Sequence, residues 1–405
     1  MLQGYPRHQI GRTAAAVQNL NERISIPAQS KGNRGSARFD FLLVLVVVVV
    51  LAQVPVASAH GGDGPLVISK QASIAVFLGG VGLVAGCALL KRREYVSPTT
   101  ALYGIGVGLF VAILGIIIFD GVTPDPAYAA SSMPFPRSWY ELFGLGIGVS
   151  VVVASFGIGL HRWPTRPRYT FLGILMGLWI SYPYIIRGSA SYTHPLGYLI
   201  VLGTPILVGY IVWTDRGDVV RTAFRDCVAR RFGATVTLLS GLFFLTSSGY
   251  LSFFWEEGLP RERVVTVLPV NYQLVQWDTL EIVLPQFPLT VALSIGVVTI
   301  VGLLSVLIGV NALLIAWQWR LEEKAGMMQG TAGTGSVIGA CTCGCCGPLV
   351  AKIAVLAAGP SVAAPLYWVF VDSSSPLSAL FIVATVVIFT ATLIYSTEEL
   401  VPSAT

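Results

Sequence analysis

Hydrophobic and polar positions do not alternate along this chain; they come in blocks. From residue 71 onward, apolar runs lie at 71–90, 99–119, 139–160, 169–187, 195–214, 233–254, 289–317, 335–358 and 377–396. Most are near the ~20 residues that a helix needs to cross a ~30 Å hydrocarbon layer. They predict an all-α polytopic membrane protein with nine transmembrane helices. Two connections depart from plain loops. Thr214–Gly233 spaces Val220, Phe224 and Val228 four residues apart among five arginines, the pattern of an amphipathic helix on the cytoplasmic membrane surface or of a solvated linker helix. Within the long connection 255–288, Arg263–Pro285 holds two β-rich runs around Val270–Tyr272, which predict a small hairpin on the outer side. Ser361–Val371 is apolar but too short to span. Ser375 and Pro376 read as the cap and first turn of the last helix.

Composition agrees with the pattern. Of 405 residues, 54% are hydrophobic and 11% charged, against about 25% charged in soluble domains. Residues 1–59 read separately, as a leader. Six basic residues precede the apolar stretch Phe41–Leu51, and Ala57–Ala59 fits a signal peptidase site. An uncleaved anchor is the competing reading. Residues 60–405 then form one multi-helix domain at the cell membrane. The net charge of +5 falls to +1 without the leader, so no nucleic-acid partner is implied. Thirteen lysines and arginines fall in one set of connections and five in the other, which predicts an N-out, C-in orientation.

Glycine is abundant, at 43 residues. Gly82/Gly86, Gly104/Gly108 and Gly144/Gly148 are small-xxx-small pairs that predict close helix approach. Leu102–Gly108 and Leu142–Gly148 resemble each other, which packing composition explains better than duplication. No Lys-Ser or Lys-Thr follows these glycines, so none reads as a phosphate loop.

Chemistry concentrates in the eighth run. Cys341, Cys343, Cys345 and Cys346 fall within six residues. On a regular helix Cys341/Cys345 and Cys343/Cys346 are two pairs on nearly opposite faces. Gly344, Gly347 and Pro348 interrupt that helix, because proline removes a donor and clashes with the preceding turn. Broken membrane helices are where transporters place their sites. Thiolates select soft ions such as Cu(I) and Hg(II), and either pair can hold a two-coordinate ion. Lys352 follows Cys345 by two helical turns, where an ammonium would favour thiolate. Three readings compete: soft-metal handling, a dithiol/disulfide relay, and packing by small residues.

Cys345–Val350, with Ala357–Val362 after it, resembles the first helix of the mercuric-ion transport proteins of mercury-resistance systems. That resemblance implies Cys345 and Cys346 as the ion-accepting pair. It is confined to this one stretch, and this chain adds Cys341 and Cys343. Cys87 and Cys227 are further thiols. His60 would head the mature chain, and His60–Gly64 resembles the start of proteins that chelate copper with an amino-terminal histidine; His194 lies in a connection on the same side. No His-Glu-x-x-His, G-x-S-x-G or ATP-binding loop is present. The leading expectation is a metal-handling or transporting membrane protein rather than an enzyme. A metallochaperone or membrane partner would supply or receive the ion. The alternatives are a membrane thiol oxidoreductase and a non-catalytic subunit of a larger complex.

Overall fold

The computed structural model describes residues 70–122, 136–186, 188–253, 263–285, 289–325 and 375–395. Eight α-helices are present among them: α1 (Lys70–Arg92), α2 (Pro98–Val122), α3 (Arg137–Arg162), α4 (Pro167–Ile185), α5 (Pro195–Arg225), α6 (Cys227–Ser247), α7 (Ile295–Ala325) and α8 (Pro376–Tyr395). A short 3₁₀ turn, Ser189–Thr193, joins α4 to α5. Four helices begin on a proline at the first position, where the missing N–H costs nothing. At α2 the preceding Ser97 Oγ accepts the Thr100 N–H at 3.2 Å. α8 starts at Pro376 directly after Ser375, as the sequence pattern predicts.

Seven of these helices, all except α4, are long and apolar enough to cross a membrane. Their outward faces carry large apolar side chains, such as Leu78, Leu142, Leu160, Leu199 and Ile206, each more than half exposed. Water would penalise that surface and hydrocarbon does not. The protein is a predominantly helical, multi-pass membrane protein. α4 occupies the expected fourth run but carries Arg168, three tyrosines and an internal Pro183. It tolerates them because protein covers much of it: Met176, Trp179, Ile180 and Tyr182 are all at most 2% exposed. The run 335–358 lies outside the described residues.

Three antiparallel helix pairs are built on glycine. A Cβ on Gly80 would lie 2.7 Å from the Gly108 carbonyl oxygen, and one on Gly108 would lie 3.0 Å from that of Gly80. The same reciprocity holds between Gly148 and Gly177 in α3–α4, at 2.8 Å each way, and between Gly233 and Gly309 in α6–α7, at 3.0 and 2.9 Å. In each pair backbone meets backbone, so any side chain would push the helices apart. On α1 this corrects the sequence reading. Gly82 and Gly86 face open space, and Gly80 makes the crossing.

Two further expectations change. Thr214–Gly233 is not one surface helix. α5 continues to Arg225, and Asp226 leaves helical geometry (φ −75°, ψ 118°) and caps α6 by accepting the Val228 and Ala229 N–H groups at 3.1 and 3.0 Å. The hairpin is real, and it belongs to a larger antiparallel sheet of order β1-β4-β3-β2. Its strands are β1 (Leu251–Phe253), β2 (Val264–Tyr272), β3 (Val275–Leu284) and β4 (Leu289–Leu293). They reach beyond 255–288 at both ends. β2 and β3 turn on Gln273, at φ 57°. The sheet sits where α6 ends and α7 begins, and it is locked to the start of α5. There the Tyr198 hydroxyl donates to the Gln276 carbonyl at 2.6 Å, and its ring meets Trp277 edge-on.

Candidate functional site

The described core is centred on α4, α5, α7 and α8, whose residues Ile180, Ile200, Ile211, Val297, Leu304, Ala316 and Leu393 are wholly or almost wholly buried. α7 and α8 flank the cysteine-bearing stretch in sequence and are joined by a polar clasp. Asn311, 6% exposed, donates from Nδ2 to the Leu307 carbonyl at 2.8 Å and to the Phe389 carbonyl at 3.2 Å. Its Oδ1 accepts the Thr392 hydroxyl at 3.0 Å. A buried amide with both ends bonded fixes the register of two otherwise apolar helices.

Cys341, Cys343, Cys345, Cys346, Lys352 and His60 lie outside the described residues. The other expected ligands do not converge. Cys87 is buried on α1, five residues before that helix ends at Arg92. Cys227 is exposed at the first position of α6. His194 stands at the sheet end, where its Nδ1 accepts the Leu196 N–H at 3.2 Å and so caps α5. That bond occupies one of its two ring nitrogens. Among the described residues no group of three or more His, Cys, Asp or Glu side chains is placed to hold a metal.

What the structure does assemble is the end of the bundle opposite the sheet, where the end of α7 meets α1, α2 and the α5–α6 junction, and the start of α4 meets α5. Arg320 of α7 donates from Nη1 to the Thr99 hydroxyl of α2 at 2.7 Å and pairs with Glu323. Thr99 in turn donates to Glu323 Oε2 at 3.0 Å, and the Arg320 Nε lies 3.9 Å from Asp226 Oδ2. Nearby, Arg168 grips Asp215 of α5 through two guanidinium nitrogens, and the Tyr169 hydroxyl donates to the same carboxylate at 2.7 Å. Lys91 lies over the Trp319 ring at 4.5 Å. Removing one partner from a partly buried, bidentate pair leaves a charge without compensation, so these act as clamps between helices. Asp215 and Asp226 are the residues that sequence reasoning missed. Asp226 carried a legible signal: an aspartate two and three residues ahead of the amides it caps.

Compared with known proteins, the chain matches no family model, no curated protein and no solved structure.

Proposed function

We propose that this membrane protein binds and passes on a soft metal ion, Cu(I) or Hg(II) in type, through Cys341, Cys343, Cys345 and Cys346. One observation carries the reading. Four thiols fall within six residues of an apolar run that is broken by Gly344, Gly347 and Pro348. The proposed mechanism is thiolate exchange, in which the ion moves between cysteine pairs without becoming a hydrated cation. Each transfer forms one metal–sulfur bond as another breaks, and no electron moves. Lys352 favours the thiolate forms. The helices on either side of this run in sequence, α7 and α8, belong to the centre of the described core.

The finer topology belongs to the same proposal: a cleaved leader ending at Ala59, nine spans with α4 and 335–358 completing the set, and the arginine-rich end in the cytoplasm. The test is metal analysis of protein purified under reducing conditions and loaded with Cu(I) or Hg(II). About one or two ions should bind per chain, and Cys345→Ser/Cys346→Ser should lose most of that binding. Unchanged stoichiometry in the double variant would overturn the assignment. A reversible Cys343–Cys346 or Cys341–Cys345 disulfide, found instead by differential alkylation, would favour the thiol relay.

A further inference from the structure

A groove of about 310 Å³ runs between α2 and α6, starting at the arginine-rich end of the bundle. Most of its wall is apolar, from Leu102, Val107 and Phe110 on one side to Val228, Phe232 and Leu239 on the other. Among the described residues one charge lines it: Arg231, exposed in the second turn of α6, with no acidic residue beside it in the wall. Tyr103 stands at the same level, about half exposed. α2 and α6 both begin at this end, so the charged mouth and the apolar floor follow the same direction. From Val228 to Leu239 the wall is about 16 Å long at 1.5 Å per residue, roughly one leaflet's share of a ~30 Å core. A second groove, on α3, is lined by Leu142, Phe143 and other small or apolar residues, with no charged residue among the described lining.

We infer that the α2–α6 groove binds an anionic phospholipid, with its phosphate on Arg231 and an acyl chain lying over Gly106 toward Leu239. Charge complementarity selects the headgroup, and Tyr103 supplies the amphipathic ring that suits the headgroup level. Gly106 makes room for the chain: a Cβ placed there meets nothing within 4 Å. This inference rests on the membrane reading and not on metal handling, so either can fail alone.

The test uses the full chain in detergent micelles, titrated with phosphatidylglycerol or phosphatidylcholine of identical acyl chains and read by native mass spectrometry. Wild type should retain phosphatidylglycerol about five-fold better, the equivalent of one favourable arginine contact near a surface. Arg231→Gln should abolish the preference. Arg230→Gln, an exposed neighbour outside the groove, should keep it. Gly106→Leu should weaken retention of both lipids by filling the floor, and its thermal unfolding in micelles should match wild type, since a Cβ there meets nothing within 4 Å. Equal retention of the two lipids by wild type overturns the inference. So does an equal loss in Arg230→Gln and Arg231→Gln, which would mark general surface attraction, or a Gly106→Leu variant that binds as wild type does.

Discussion

Asp226 ends one helix and starts the next with a single side chain, and it shows how much one residue decides here. Its Oδ1 caps α6 while its Oδ2 faces Arg320; a cap of this kind contributes about 1 kcal/mol. The apolar spacing of Val220, Phe224 and Val228 was legible, but the chain breaks at the aspartate because a short carboxylate competes for free amide groups better than the helix does. Tyr250, between α6 and β1, is the clearest titrating residue outside the spans. Burial pushes its phenol up to about 12, above the ordinary ~10. The folded state therefore holds the proton over a range where the unfolded chain releases it. The resulting stability is complete below about pH 10 and is lost as pH rises through about 12, by up to roughly 3 kcal/mol. Phenolate absorbance, read alongside alkaline unfolding, should show a late-titrating tyrosine component to which Tyr250 contributes. Tyr250→Phe should remove that component of the alkaline loss.

At the scale of elements, the glycine crossings separate what a pattern can say from what packing decides. Small-xxx-small spacing correctly marked α2 and α3 at Gly108 and Gly148, but it marked Gly82 and Gly86 on α1 where Gly80 makes the contact. All three lie on one glycine-rich helix, and only the partner's position distinguishes them. The sign of a substitution tests this. Gly80→Ala should destabilise by about 1–3 kcal/mol, because its Cβ would sit 2.3 Å from the Ala112 nitrogen. Gly82→Ala should be neutral or stabilising by up to ~1 kcal/mol, since it meets nothing and alanine is the better helix former. Thermal unfolding in micelles reads both. The run 289–317 shows a second limit. It looks like one apolar span, yet Leu289–Leu293 is a strand and the helix starts at Ile295. The switch is made at Ser294, whose Oγ accepts the Val297 N–H at 3.2 Å. A serine in an apolar run is a weak signal, and only pairing with β1 and β3 makes its first five residues extended.

For the whole molecule, the asymmetry of charge was legible and the clamps that organise it were not. Arginines near helix ends follow from counting; that Arg168 finds Asp215 and Arg320 finds Thr99 and Asp226 depends on contacts distant in sequence. The same end holds the exposed Cys227, which offers a test of orientation. In a variant with serine at Cys341, Cys343, Cys345 and Cys346, a membrane-impermeant thiol reagent should label Cys227 in inside-out vesicles and not in right-side-out ones. Cys87, buried on α1, should stay unlabelled in both. Labelling from the outer face would reverse the proposed topology. The six crossing glycines also bear on ancestry. A descendant of the same progenitor can exchange almost any lipid-facing side chain, but each pair must remain bare or change together. Gly80 with Gly108, Gly148 with Gly177 and Gly233 with Gly309 are thus the positions at which a shared origin is best sought.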